Sequence, residues 1–135
     1  MTTSTLELKE DQVLIGDLHF EHALWINQLN FYEEEITIFN KRLEDVVRKS
    51  MHKDALKNLE HFQNQYIVQM DVIHGLKHKV RTHGRNMNRN DRNLPLESDN
   101  KYLGDHAYLQ SEMQGIVTIY DGLKREFMHF LASYS

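Results

Sequence analysis

Ring-bearing and aliphatic residues recur along three stretches of the chain in alternating steps of three and four. The first stripe runs Leu18, His22, Trp25, Leu29, Tyr32, Ile36, Phe39, Leu43, Val46. The second runs Ala55, Leu59, Phe62, Tyr66, Gln69, Ile73, Leu76, Val80, and the third runs His106, Leu109, Met113, Ile116, Tyr120, Leu123, Phe127, Phe130. A helix turns once in about 3.6 residues, so each stripe occupies one face and needs a neighbour to cover it. The pattern predicts an all-α fold, an antiparallel bundle of three long helices over about 17–50, 54–83 and 104–132.

Local signals set the expected boundaries. Gly16-Asp17 precedes the first stripe, with Asp17 as N-cap. Beyond Val46 the stripe would continue at Ser50, Lys53 and Lys57, but the apolar phase restarts at Ala55. A turn near Ser50–Asp54, with Asp54 capping the next helix, accounts for the slip. That turn lacks glycine and proline, so one continuous helix over 17–83, exchanged between two chains, is the alternative. His83-Gly84 is the expected end of the second helix, with Gly84 in the left-handed C′ position. Residues 84–103 read as a long Asn/Arg-rich loop, and Gly104-Asp105 opens the third helix. Residues 1–16 form a polar lead-in to a single domain spanning 1–135.

Composition narrows the function classes. One proline and six glycines in 135 residues suit long helices. A net charge of −4, with both signs interspersed, carries no basic excess for nucleic acid. The absence of cysteine removes disulfides, thiolate metal sites and cysteine nucleophiles. Val13–Ile15 is too short for a signal core or a membrane span, so the expectation is a soluble cytoplasmic protein.

The first helix carries a second apolar line. Leu24, Phe31 and Ile38 stand seven residues apart at heptad position c, with Phe20 beside them. The third helix carries small residues on its outer face: Ser111, Gly115, Thr118 and Gly122. Glycine inside a helix costs roughly 1 kcal/mol relative to alanine, so close approach by another helix is the expected compensation. These two features predict a homo-oligomer in which dimerisation completes a larger bundle.

Three of the nine histidines occupy core positions: His22, His83 and His106. Pairing about a turn near 51–54 matches positions whose numbers sum to about 105, as 22 and 83 do. His106 begins the helix that returns to the same end. The three should share a layer at one end of the bundle, with His19 close by. Converging imidazoles can hold a divalent metal, zinc or iron; hydrogen bonds to helix ends would satisfy them without one.

His74 and His78 form an i, i+4 pair, and in this they resemble hemerythrin-like bundles. The chain departs from that family in having no His-x-x-x-Glu helix, and His61 is followed four residues later by Gln65. His74-Gly75-Leu76-Lys77 resembles the His-x-Leu-Lys core of histidine phosphotransfer domains, with Gly84 ten residues on. That resemblance implies His74 as phosphoryl acceptor and Lys77 as its assistant. The small residue expected next is His78 here.

Glu33-Glu34-Glu35 reads as a solvated helical edge. Tyr32, Tyr66 and Tyr120 need hydroxyl partners, and Gln69 can serve one of them. Arg85, Arg89 and Arg92 lie among asparagines in the loop and read as a soluble connector. No phosphate loop, nucleophile elbow or dinucleotide fingerprint is present. The leading expectation is therefore a non-enzymatic bundle acting through protein–protein contact and self-association, with an unidentified protein partner and no required cofactor. A histidine metal site is the alternative, and nucleic acid and membrane are excluded as partners.

Overall fold

The computed structural model describes residues 13–50, 53–87, 95–97 and 100–134. Along the chain these form β1 (Val13–Leu14), α1 (Ile15–Ser50), α2 (Lys53–Met87), β2 (Pro95–Leu96) and α3 (Lys101–Tyr134). The three helices pack against one another as an all-α bundle. The 36 residues of α1 extend about 54 Å at about 1.5 Å per residue. Helix α1 ends at Ser50, α2 begins at Lys53, and α1 packs on α2 within the chain, as a turn near Ser50–Asp54 predicts.

Every stripe position is buried except Trp25 and Leu59, which are half-buried. Around Phe127, fully buried, the rings of Phe39, Phe62, Tyr66 and Phe130 lie with centroids 5.0, 5.2, 5.8 and 6.2 Å away. Farther along, Tyr32 of α1 stacks on Tyr120 of α3 at 3.8 Å. These rings fill the space among the three helices.

The three consecutive glutamates separate by helix geometry. Successive residues point about 100° apart, so one run of acids serves two neighbours. Glu33 faces α2, where it takes His74 Nε2 and Lys77 Nζ, the latter at 2.6 Å. Glu35 faces α3, where it accepts from Tyr120 at 2.6 Å and Lys124 at 2.9 Å. Only Glu34 is the exposed edge residue expected of all three. Tyr120 therefore finds its partner in Glu35. The Tyr66 hydroxyl and Gln69 Oε1 are buried without a hydrogen-bond partner among the described residues, so Gln69 serves no tyrosine.

The end carrying the chain's start is closed by a second apolar cluster. Ile15, Leu18, Met87 and Leu96 are buried together, with Val13, Tyr102 and Leu103 against them. Val13 pairs with Leu96 and Leu14 with Pro95 in a short antiparallel ladder. This cluster lengthens the helices beyond their expected ends. Val13 and Ile15 belong to it rather than to a polar lead-in, and α1 opens at Ile15, with Asp17 and Asp54 in the first turns of α1 and α2 rather than at their caps. Helix α2 runs on to Met87, so Gly84 is interior. Helix α3 opens at Lys101 behind Asn100, whose Oδ1 accepts the Tyr102 N–H at 2.8 Å, and Gly104 is interior too. Burying Ile15, Met87 and Leu96, at about 25 cal/mol per Å2 of apolar surface, outweighs a glycine penalty of about 1 kcal/mol. Asn88, Arg89, Asn90, Arg92, Asn93 and Leu94 lie outside the described residues. Among those described, no helix is long and apolar enough to cross a membrane.

Candidate metal centre

His22, His83 and His106 reach one point from α1, α2 and α3. Each keeps its place in the three–four stripe, and the antiparallel pairing brings the three stripes to the same level. The ring centroids of His22 and His83 are 5.0 Å apart, those of His22 and His106 5.1 Å, and those of His83 and His106 5.9 Å. The layer is internal rather than terminal. The main core lies on one side and the Ile15–Leu18–Met87–Leu96 cluster on the other. The three residues are only 6, 6 and 4 % exposed, in that order.

The outer nitrogens set the tautomers. His83 Nε2 lies 3.0 Å from the Tyr102 carbonyl, which can only accept, so Nε2 carries the proton and donates. His106 Nε2 donates likewise to Glu21 Oε1 at 2.9 Å. In the neutral rings this leaves Nδ1 of both as bare lone pairs. Both lone pairs face His22 Nε2, at 3.0 Å from His83 and 3.3 Å from His106. A proton on His22 Nε2 can be given to one of them at a time. A cation at the centre accepts all three lone pairs at once. Metal–nitrogen bonds of about 2.0–2.1 Å in a tetrahedral site place ligand nitrogens about 3.3 Å apart, close to the two separations found. Backbone carbonyl and carboxylate on the outer N–H groups are the partners that metal-bound histidines ordinarily have.

Neighbouring residues support this geometry. A Cβ on Gly84 would stand 3.4 Å from His22 Nδ1 and 3.9 Å from His19 Nδ1, in ordinary contact, so both rings lie directly against α2 at this helical glycine, which is no left-handed cap. Trp25 stacks on His106 at 4.7 Å and 27°. Burial, reinforced by the neighbouring His106, His83 and His19, pulls the His22 pKa down to about 3. Burial also lowers His83, against the opposing hydrogen bond to the Tyr102 carbonyl. A ring that resists protonation keeps its lone pair for a metal.

The other expected residues fall elsewhere. His19 lies 5.8 Å from His22 by ring centroid but outside the converging set. His74 and His78 are on the exposed face of α2, and His74 and Lys77 both engage Glu33, which sets a negative charge against the ring. Phe20, Leu24, Phe31 and Ile38 are 50–64 % exposed. Gly115 and Gly122 have nothing within 4 Å of an added Cβ, with Ser111 and Thr118 exposed nearby, so no helix of this chain uses that stripe. Sequence reasoning placed Glu21 beside the histidines along the chain, with Asp17 and Asp105, but gave it no role, and it missed the Tyr102 carbonyl. Glu21, one residue before His22 at a g position, carried a signal; a backbone carbonyl carries none.

No protein-family model, no curated protein and no solved structure matches this chain.

Proposed function

We propose that this protein is a metal-binding helical bundle, holding one divalent transition-metal ion, zinc in the first instance, at His22 Nε2, His83 Nδ1 and His106 Nδ1. The observation that carries the proposal is the convergence of three buried imidazole nitrogens, with the outer nitrogens of His83 and His106 already committed to Tyr102 and Glu21. Three neutral imidazoles leave one coordination position for water or a small ligand. Because the layer lies between two apolar clusters, the ion's role is binding and stabilisation rather than turnover. Protein stripped with chelator and titrated with zinc is expected to take up one equivalent, with a rise in melting temperature. His83→Ala should weaken binding at least about a hundredfold, and Glu21→Gln about 10–100-fold. His78→Ala, on the exposed face, should change nothing. Uptake far below one equivalent, or equal losses in the His78 and His83 variants, would overturn the reading.

A second reading concerns the outer surface. Leu24, Phe31 and Ile38 flank the side of α1 that faces α3, each at least half exposed. We infer self-association through this line, the bundle then acting through protein–protein contact. Sedimentation equilibrium should report a dimer at tens of micromolar, and Phe31→Glu should shift it to monomer. A strict monomer for the unmodified chain would remove this reading and leave the metal proposal standing.

A further inference from the structure

Behind His22, away from the histidine centre, a groove of about 860 Å3 runs between α1 and α2. Its floor is apolar, built from Phe20, Ile26 and Val80. Its rim on α2 carries Arg81 and Arg85, four residues apart and therefore on one helix face. Both arginines are exposed, and neither has an ion-pair partner among the described residues; Arg85 donates only to Thr82 Oγ1 at 3.1 Å. Among the described residues no carboxylate lines the groove, although the chain as a whole has a net charge of −4. The histidine centre is thus backed by a mostly apolar surface with two guanidinium groups at one side that no carboxylate among the described residues pairs.

We propose that this groove binds a small amphipathic carboxylate, its hydrocarbon body on Phe20, Ile26 and Val80 and its carboxylate on Arg81 and Arg85. The charge pattern selects this class. Apolar walls need an apolar body, and guanidinium forks pair with carboxylate oxygens in two parallel hydrogen bonds. The volume lies in the range of roughly 300–1,000 Å3 common to small-molecule sites. Gly84, between the two arginines, and His22 also line the groove. The proposal stands on the groove alone and does not need a metal at the histidines.

Calorimetric titration of the full chain with decanoate, in chelator so that the histidine centre is metal-free, tests it. The expected result is saturable binding of one decanoate per chain. Decanol, which has the same body without the charge, should bind about tenfold or more weaker. Arg81→Glu/Arg85→Glu should lose about tenfold or more as well. Ala23→Trp, at an exposed groove position, should block binding while keeping both arginines. This variant keeps the test decisive if the charge reversal disturbs folding. Any one of four outcomes overturns the proposal. These are no saturation with decanoate, equal binding of decanol, full binding by Ala23→Trp, and an affinity that falls as protein concentration rises. The last would assign the groove to a second copy of the chain.

Discussion

Acidifying the metal-free protein from pH 7.5 to 5 is expected to lower its stability by about 2 kcal/mol through His22 alone. In the folded state burial and three neighbouring imidazoles hold His22 near a pKa of about 3. In the unfolded chain the ring returns to about 6.5 and takes up a proton. Below that value the unfolded state binds more protons than the folded one. The stability is therefore fully present above pH 6.5 and is lost as pH falls from there toward 3, by about 4 kcal/mol in total. His83, lowered in the same direction, adds to the loss. Urea unfolding at the two pH values measures this directly. His22→Asn should flatten the dependence. Stabilities within about 0.5 kcal/mol of each other at the two pH values would show that the rings are not buried as a neutral layer.

Phe127→Ala is expected to cost about 3–5 kcal/mol and to lower the melting temperature by roughly 10–20 °C. Phe127 is fully buried and is surrounded by Phe39, Phe62, Tyr66 and Phe130. Removing its ring leaves a void between three helices that rigid aromatic neighbours close only in part. With total stabilities of about 5–15 kcal/mol for a domain, the loss is about a fifth of the whole or more. Phe20→Ala supplies the contrast. The same atoms are deleted at a site 64 % exposed, and the monomer should change by no more than about 0.5 kcal/mol. Denaturation midpoints for the two variants compare them. Equal effects would mean that stripe position does not determine the core.

Much of the fold was legible because helical periodicity is a local property. The three–four spacing settles which side chains share a face, and burial of Leu29, Ile36, Leu43, Ile73 and Ile116 follows that spacing residue by residue. The break near Ser50 was visible as a slip of phase. The meeting of His22, His83 and His106 was accessible by arithmetic: antiparallel helices joined by a short turn pair positions of constant sum, and the third helix must return to the same level. Expecting an apolar line at Leu24, Phe31 and Ile38 required only counting by sevens.

What periodicity cannot reach is anything set by two elements meeting. The helices end later than Gly84 suggests, and α3 starts earlier than Gly104 suggests, because Ile15, Met87 and Leu96 bury one another across the end of the bundle. That same cluster turns the histidine layer from a bundle end into an internal layer. Glu33 and Glu35 look alike in sequence, yet one serves α2 and the other α3. The tautomers of His83 and His106 depend on a carbonyl of Tyr102 and a carboxylate of Glu21 that only packing brings within 3.0 Å. Sequence by itself determined which residues face inward, since that follows from 3.6 residues per turn. Tertiary structure decided which nitrogens are left bare, since a lone pair is free only when something else holds the proton on the opposite side of the ring.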